Sequence, residues 1–241
     1  MSRKLIAVAL TSCALVACGG GGGGGDDTTG PAQAEGIWAG PSSAGTDIEI
    51  VILDDGSTWG LVAQGNTAFA VIQAPGSSLR GDTITLNNPR FYEFGEDNYV
   101  NGNVSARVTG DTLAGTATGA GQTSTFTLAR QPNYRQAVTT AAAAGTWTGS
   151  SGSLAGFGSL SVTIQANGSF TAQDGPCLIT GSITPRAGVA VFNMNGQYQA
   201  SSSCPVNFQL TGIAVPSGSN KLLIGAVLPD RSDATLAIVS R

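Results

Sequence analysis

The chain of 241 residues contains 35 glycines, 11% charged residues and 6% aromatic residues. This composition is poor in helix formers and rich in residues typical of turns and strands, so it favours an all-β protein. The 11 basic and 15 acidic residues give a formal net charge of −4, and the basic residues are scattered along the chain. Because a phosphate backbone is bound by grouped cations, we expect no binding of nucleic acid.

The first 17 residues have the organisation of a signal peptide. Arg3 and Lys4 provide a charged start, and residues 5–17 form a short apolar segment that ends in small residues, as in exported proteins. A membrane-spanning helix needs roughly 20 apolar residues, so this segment is too short for one. We therefore expect residues 1–17 to be a signal that directs export.

The residues that end this segment, Leu15, Val16, Ala17 and Cys18, resemble the lipobox of bacterial lipoproteins. The resemblance implies cleavage before Cys18 and attachment of acyl chains such as palmitate to that residue. Because the next residue is Gly19 and not Asp, it also implies the outer membrane of a Gram-negative bacterium, on the periplasmic face or the cell surface. An ordinary signal peptide and an uncleaved anchor are the alternatives.

Residues 18–35 predict a flexible tether. An unbroken glycine run from Gly19 to Gly25 is followed by Asp26 and Asp27. Such a segment has little apolar surface to bury, so nothing offsets the entropy that is lost when it becomes ordered. We expect it to separate the membrane anchor from the folded part of the protein.

The remainder of the chain contains an internal repeat that opens each time on a Gly-x-Trp-x-Gly segment. Two further segments recur in the same order, and Asp-Gly and Asn-Gly dipeptides between apolar runs are strong hairpin signals. The matched segments are 36–40 with 145–149, 48–57 with 160–169, and 79–84 with 179–183. We therefore predict two duplicated units, residues 36–131 and 145–241, joined by a linker over 132–144 that contains a short helix.

Apolar and polar residues alternate along the second unit, which is the period of a strand with one buried face. The alternating apolar residues are Leu160, Val162 and Ile164, then Phe208 and Leu210, then Leu222, Ile224 and Ala226, then Leu236 and Ile238. About eight short strands fit each unit, and closing a sheet removes its unpaired edges. The sequence therefore predicts two tandem small antiparallel barrels, with β-sandwiches or a single composite barrel as the alternatives.

The Gly-x-Trp opening of each unit resembles the first strand of lipocalin-like and avidin-like barrels. The lipobox cysteine with its glycine tether resembles the start of transferrin-binding-protein-like surface lipoproteins. Both resemblances imply barrels, but no ligand-binding residues of those families can be matched to this sequence, so they imply no activity. We expect Trp38 and Trp147 to fill the start of each barrel, where a buried indole N–H needs a hydrogen-bond partner.

The chain has four cysteines, of which Cys13 leaves with the signal and Cys18 is the expected lipid site. The remaining two, Cys177 and Cys204, are expected to form a disulfide because exported proteins meet oxidising compartments. Closing this loop would stabilise the fold by about 3–4 kcal/mol in the chain-entropy model. Two free thiols or a metal-binding pair are the alternatives, and the absence of His disfavours the second.

The sequence offers no catalytic residues and no cofactor motif. A serine or cysteine nucleophile needs an adjacent base, yet the chain contains no His, and Lys221 is the only lysine after the signal. Asp54 and Asp55 lie on a predicted turn, which explains them without catalysis. Zinc would lack its usual ligands. We therefore expect no enzyme, no cofactor and no bound metal.

Residues 87–101 differ from their surroundings because they combine four aromatic and three acidic residues, as recognition loops often do. The candidate recognition residues are Arg90, Phe91, Tyr92, Glu93, Phe94 and Tyr99. Exposed aromatics cost solubility unless a partner uses them, so replacing Tyr92 and Phe94 by Ala is expected to weaken binding and leave stability nearly unchanged. Alternatively, the aromatics cover a barrel end, or Glu93, Glu96, Asp97 and Asn98 bind Ca²⁺.

Together these features predict a membrane-anchored lipoprotein that acts as a non-enzymatic binding or surface-interaction module for a protein or small-molecule ligand. A structural lipoprotein of the cell envelope, without a soluble ligand, is the alternative. The barrel interiors distinguish the two, because a wide cavity dotted with polar groups in one unit favours ligand binding, whereas two cores filled by side chains favour the surface roles.

Overall fold

The computed structural model describes residues 33–65 and 67–241, so the signal segment, Cys18 and most of the tether lie outside the described residues. The rest folds into two closed antiparallel barrels of eight strands each, with almost no helix. The prediction of an all-β protein with two tandem barrels is therefore confirmed.

The first barrel is formed by strands whose continuity is interrupted twice. They are β1 (Gly36–Pro41), β2 (Asp47–Ile52), β3 (Thr58–Gln64), β4 (Thr67–Ala74), β5 (Gly76–Arg80), β6 (Thr83–Asn87), β7 (Arg90–Glu93), β8 (Val100–Thr109), β9 (Thr112–Gly119) and β10 (Gln122–Arg130). The pairs β4–β7 and β5–β6 share one register, with Gln73 opposite Arg90 and Gly76 opposite Asn87. β4 and β5 together therefore fill one strand position, and β6 and β7 together fill the next. The strand β8 closes the ring by pairing with β6, β7 and β9.

A β-bulge at Asn88 and Pro89 separates β6 from β7. The pairing along β8 shifts by one residue between these two segments, so the bulged side has one extra residue. Pro89 has no N–H to donate to a ladder, and Asn88 adopts a left-handed φ of 51°, which Asn tolerates better than most residues. The bulge leaves the Asn88 carbonyl free to accept a hydrogen bond of 2.8 Å from Arg231 in the second barrel.

The second barrel is a regular ring in which each strand pairs with the next and the last pairs with the first. Its strands are β11 (Gly145–Ser153), β12 (Gly156–Ile164), β13 (Ser169–Asp174), β14 (Cys177–Pro185), β15 (Phe192–Gln199), β16 (Gln209–Pro216), β17 (Lys221–Val227) and β18 (Ala234–Ser240). The short helix α1 (Thr140–Ala143) precedes it, and the Thr139 hydroxyl caps the helix by accepting from the Ala142 N–H at 3.2 Å. Within the described ranges, no helix has the length and apolar character needed to cross a membrane.

Each barrel is closed at one end by the tryptophan of its first strand. The side chains of Trp38 and Trp147 are 0% and 3% exposed, and each indole N–H donates to a carbonyl four residues earlier at 2.8 Å. The guanidinium of Arg130 lies 4.0 Å from the Trp38 ring centre, and that of Arg241 lies 4.4 Å from the Trp147 ring centre. The prediction that both tryptophans fill the barrel start is confirmed. We call this the tryptophan end of each barrel.

The structure upholds two of the three matched segments of the repeat and corrects the third. Residues 36–40 and 145–149 open the first strand of each barrel, and residues 48–57 and 160–169 form the second strand with its turn. Residues 79–84, however, form the turn between β5 and β6, whereas 179–183 lie inside β14, where Gly181 pairs with Gly196. The third match was therefore a likeness of composition between a turn and a strand.

The two barrels pack side by side through a third apolar cluster, separate from both interiors. It contains outward-facing residues of both barrels, namely Ile37, Val51, Leu53, Trp59, Val71, Tyr92, Phe94 and Tyr134 on one side and Val189, Val191, Ile213, Val215, Val227, Ala234 and Leu236 on the other. Trp59 packs directly on β17, because a side-chain carbon at Gly225 would lie 2.9 Å from its ring. Burial of apolar area on this scale holds the barrels together as one unit.

This contact corrects the alternation predicted for the last strands. Leu236 belongs to the cluster between the barrels, and the interior of the second barrel instead receives Ala237 and Val239. Phe208 precedes β16 and is 48% exposed, so it does not share the buried face of Leu210. Because the first barrel covers the outer face of β18, Leu236 lies on that outer face, and the smaller residues Ala237 and Val239 face the interior.

The linker between the barrels is itself packed against both. Glu35, only 6% exposed, accepts from the Tyr134 hydroxyl at 2.9 Å and from Arg135 at 3.0 Å. Burial and the adjacent Glu35 carboxylate raise the pKa of Tyr134 above its usual range. The Tyr134 carbonyl in turn accepts from the Ala190 N–H at 2.7 Å, which joins the start of the first barrel to the second.

Candidate binding site in the second barrel

The two barrel interiors differ in how completely side chains fill them. In the first barrel the remaining space is about 10 Å³, measured as the volume open to the centre of a water molecule. On the same measure the second barrel contains a cavity of about 50 Å³. The second cavity has room for roughly four water molecules, so the second barrel holds the candidate site.

One pair of equivalent positions on the last strands contributes to this difference. Counting back four residues from the arginine that stacks on each tryptophan leads to Phe126 in the first barrel and Ala237 in the second. Phe126 is 4% exposed and Ala237 1%; they line the residual space of the first barrel and the cavity of the second, respectively. An aromatic ring thus fills the place that an alanine methyl leaves open.

The cavity wall is apolar except at one end. Phe170 fills the tryptophan end, where Gly181 leaves no room for a side chain of its own, since an added carbon would lie 2.6 Å from the Phe170 ring. The remaining apolar wall consists of Leu160, Val162, Ile164, Ala172, Ile179, Ile183, Met194, Leu210, Ala214, Leu222, Ile224, Ala226 and Ala237. The polar lining residues are Asp174, Tyr198 and Thr235. A compact apolar group therefore fits the body of the cavity.

The end of the second barrel opposite Trp147 is formed by the β11–β12, β13–β14 and β17–β18 turns and the β15–β16 connection, and we call it the mouth. Asp174, the last residue of β13, lies there and accepts two hydrogen bonds. Its Oδ1 accepts from the Ser151 hydroxyl at 3.2 Å and its Oδ2 from the Tyr198 hydroxyl at 2.9 Å. These bonds fix the carboxylate at the point where the apolar cavity meets solvent.

Negative charge dominates the mouth. Burial raises the pKa of Tyr198, and Asp174 and Asp233 raise it further, so the hydroxyl stays protonated and donates to Asp174. Burial also raises the pKa of Asp233, although the N–H groups of Leu154 and Ala234 donate to it. Among the described residues that line the cavity, none is Arg or Lys.

A disulfide lies beside the mouth. Cys177 and Cys204 are bonded, which confirms the predicted pairing. The bond joins the start of β14 to the β15–β16 connection, and Cys204 is 1% exposed. The connection is thereby held against the barrel rim next to Asp174, which pairs with Cys177 in the sheet.

Three large apolar side chains are exposed on the second barrel: Phe157 by 64%, Phe208 by 48% and Leu178 by 42%. All three lie on the segments that enter or leave the mouth. The Phe157 ring contacts the Phe94 ring of the first barrel edge to face, with centroids 5.7 Å apart. The rim is therefore more apolar than an ordinary strand end.

The candidate recognition residues predicted in the first unit lie mainly in the contact between the barrels. Tyr92 is 0% and Phe94 9% exposed. Tyr92 donates from its hydroxyl to the Arg231 carbonyl at 2.8 Å, and the Phe94 ring occupies the space that a side chain on Gly152 would need. The exposure that the sequence argument assumed for these two aromatics is wrong, because the second barrel covers them.

The other four residues of that set are divided among three places. Arg90 stacks on Tyr99 with its guanidinium carbon 4.0 Å from the ring centre, and it donates to the Asp230 carbonyl at 2.9 Å. Phe91 packs in the first barrel against Gly102, where its ring takes the place of a side chain. Glu93 is exposed. The structure does not bring these residues together into one surface.

Two acidic residues of the first barrel have a structural partner in the second. Asp54 and Asp55, on the turn between β2 and β3, both accept from Arg186 on the turn between β14 and β15. Across the residues that the structure describes, no three His, Cys, Asp or Glu side chains are grouped so as to hold a metal ion.

A smaller space of about 30 Å³ lies between the barrels and is lined by Trp59, Leu61, Ile213 and Leu236 among others. Glu49 lies at its edge, where burial raises the pKa of its carboxyl despite the opposing charge of Lys221. This space belongs to the packing contact between the barrels, and it is smaller than the cavity in the second barrel. It is therefore the weaker candidate.

Sequence reasoning missed Asp174, Tyr198 and Ser151, because they lie on three different strands and share no motif. One signal was available: Asp174 stands at the end of a strand beside Cys177, in a unit with few charged residues. Nothing in the sequence placed Tyr198 opposite it, since that contact depends on the barrel closure.

No family model and no curated protein matches the chain. Among solved structures, isotype 1 transferrin binding protein B from serogroup B Neisseria meningitidis aligns at a TM-score of 0.32 and 7% identity, over 82% of this chain and 66% of that chain. A protein of unknown function from the DUF3598 family of Nostoc punctiforme aligns at 0.32 and 13% identity, over 87% of this chain and 97% of that chain. A candidate outer membrane protein from Bacteroides fragilis aligns at 0.30 and 11% identity, over 88% and 100%. Likenesses at these scores support no argument about function.

Proposed function

We propose that this chain is a lipid-anchored, non-enzymatic binding protein whose ligand compartment is the interior of the second barrel. The observation that supports the compartment is the difference between the barrels, about 50 Å³ of open space in the second against about 10 Å³ in the first. A largely apolar cavity with a few converging polar groups is the usual form of a small-molecule site. The absence of His from the sequence supports the non-enzymatic part.

The first barrel serves as a rigid support in this proposal. Its interior is filled, and its outer face is buried against β16, β17 and β18 of the second barrel. Arg231, on the β17–β18 turn at the mouth, donates to the Gln73 side chain at 2.5 Å and to the Gln73 carbonyl at 2.8 Å. Contacts of this kind hold one side of the mouth in a fixed position.

Residue 33, the first that the structure describes, lies at the end of the molecule opposite the mouth. The described chain enters the first barrel at its tryptophan end, where Asp54 and Asp55 meet Arg186 near the tryptophan end of the second barrel. At the other end the Gly95 N–H donates to the Ser153 carbonyl at 3.1 Å. With lipid on Cys18, the mouth would therefore face away from the membrane of a Gram-negative cell envelope.

The compartment is tested by following the methyl resonance of Met194, which lines the cavity. The sequence has two methionines, Met1 and Met194, and Met1 leaves with the expected signal, so isotope labelling of the oxidised chain that begins after the signal gives one methionine signal, from inside the barrel. Toluene is expected to shift the Met194 signal in a saturable manner, because small apolar molecules bind in apolar cavities inside proteins.

The matched control is Ala237→Phe, which places in the second barrel the residue that fills the first. It should abolish the toluene response, and Ala172→Leu serves the same purpose if Ala237→Phe does not fold. A Met194 signal that toluene leaves unchanged in the parent protein would contradict the proposal and favour a structural role in the envelope.

The anchor is tested separately by Cys18→Ser in the producing cell. We expect loss of labelling by a radioactive fatty acid and release of the protein from the membrane fraction, because the acyl chains supply the binding energy to the bilayer. A Cys18→Ser protein that still fractionates with membranes would contradict the lipid anchor without affecting the proposed compartment.

A further inference from the structure

The mouth of the second barrel has a carboxylate beside an apolar cavity. Asp174 lines the cavity, and its two hydrogen bonds, from Ser151 and Tyr198, leave part of its acceptor capacity unused, since a carboxylate has about four lone-pair sites. Asp233 lies close enough to Tyr198 to act on it electrostatically. The guanidinium of Arg231, on the β17–β18 turn at the mouth, is directed to Gln73 and Asn88 of the first barrel.

The cavity behind this carboxylate is apolar and small. It has room for roughly four water molecules. A ligand that fits has a compact apolar body of about one ring, and whatever polar group it bears must remain at the mouth, because the wall beyond Asp174, Tyr198 and Thr235 is apolar.

We infer that the second barrel takes small organic cations, such as primary amines with a compact apolar body, with the ammonium group donating to the Asp174 carboxylate at the mouth. The inference rests on the proposed function. At the mouth the ammonium keeps part of its hydration, so the full cost of burying a charge is avoided. An anion of the same shape would face Asp174 and Asp233 together and is excluded.

The experiment compares three probes with the same ring: benzylamine, toluene and benzoate, each titrated against the Met194 methyl signal of the oxidised chain without its signal. Benzylamine is expected to bind about tenfold to a hundredfold more tightly than toluene, the usual worth of a hydrogen bond to a charged group, and benzoate should not bind. In Asp174→Asn, benzylamine affinity should fall to that of toluene while toluene affinity stays the same. Asp47→Asn, at an exposed carboxyl at the start of β2 in the first barrel, should leave all three affinities unchanged.

The outcomes separate this inference from the proposed function. If toluene and benzylamine both bind with equal affinity, or if Asp174→Asn leaves benzylamine affinity unchanged, the compartment exists but the ligand class is wrong. Binding of benzoate in preference to benzylamine overturns the inference outright. If no probe moves the Met194 signal, the proposed function itself fails, and with it the inference.

Discussion

The first and second barrels close their tryptophan ends in the same way and differ in what lies behind that closure. Trp38 with Arg130 and Trp147 with Arg241 form equivalent stacks, yet Phe126 fills the interior where Ala237 leaves a cavity. The two barrels therefore share the contacts that seal the sheet and differ in the inward-facing residues of the last strand. Function in such a pair is better sought in the inner faces than in the shared opening motif.

The largest effect is expected from substitutions that disrupt the contact between the two barrels. We expect Tyr92→Ala with Phe94→Ala to cost about 5 kcal/mol or more in free energy of unfolding, because large-to-small changes at buried aromatics cost about 3–5 kcal/mol each. The residues are 0% and 9% exposed, so this replaces the expectation from sequence that stability would hardly change. Chemical denaturation measures the loss.

Glu93→Ala is the matched control for that double substitution, because Glu93 lies between the two aromatics and is exposed. Its free energy of unfolding should stay within about 0.5 kcal/mol of the parent protein. A double variant as stable as the Glu93→Ala control would show that the two aromatics do not bury themselves against the second barrel.

A second experiment sharpens the comparison by exchanging the residue that distinguishes the interiors. Phe126→Ala should cost about 3–5 kcal/mol, since it removes a buried ring and leaves a cavity, and the first barrel should then bind toluene. Calorimetry of Phe126→Ala with and without toluene measures both effects. A Phe126→Ala protein that loses little stability and gains no toluene site would mean that the first barrel is not filled by this ring.

Removing the disulfide tests whether the bond between Cys177 and Cys204 stabilises the mouth in addition to the contacts of Arg231 with the first barrel. Cys177→Ser with Cys204→Ser should lower the free energy of unfolding by about 3–4 kcal/mol, and toluene should still bind, because the cavity wall comes from the strands. The denaturation midpoint and the Met194 signal report the two effects. Retained stability, or loss of toluene binding in the folded variant, would contradict the position given to the disulfide.

The smallest expected effect concerns the ion pairs at the tryptophan ends. Burial raises the pKa of Asp55, but hydrogen bonds from Ser57 and Arg186 outweigh it, so its pKa lies below the ordinary value of an aspartate. A carboxyl with a lowered pKa stabilises the fold above its unfolded-state pKa, and that stabilisation is lost as the pH falls through the folded-state pKa. Because Asp54 and Asp55 are largely exposed, the worth of these pairs is discounted to about 1 kcal/mol or less.

The variant Arg186→Gln should therefore lower stability by about 1 kcal/mol or less at neutral pH, and the difference from the parent protein should shrink as the pH falls below about 4. Denaturation curves at about pH 7 and about pH 3 measure it, with Arg80→Gln, an exposed arginine of β5, as control. A difference that grows at low pH would contradict the sign of this argument.

The sequence predicted the features that depend on local pattern. Gly-x-Trp marked the first strand of each barrel, alternation marked the strands, and counting the cysteines that remain after export paired Cys177 with Cys204. The contact between the barrels also left a signal in the sequence, as the apolar run over 222–224 and that over 50–53. A strand that is buried on both faces has a continuous apolar run. A search for alternating apolar residues identifies only one buried face, so it did not reveal the second.

The candidate site could not be predicted in the same way. Asp174, Tyr198 and Ser151 meet only because β13, β15 and β11 curve around one closed ring. The correspondence between Phe126 and Ala237 likewise becomes visible only when the last strands of the two barrels are aligned so that Arg130 matches Arg241. The aromatic segment 87–101 misled because aromatic content alone does not distinguish a surface used by a partner from one covered by a neighbouring barrel.

Xenon binding in a crystal tests the central claim most directly, because xenon enters dry apolar cavities and its position is visible at atomic detail. The account predicts xenon inside the second barrel beside Ala237 and Met194, none inside the first barrel, and none in either barrel of Ala237→Phe. Xenon in both parent barrels, or in neither, would contradict the claim that the two interiors differ.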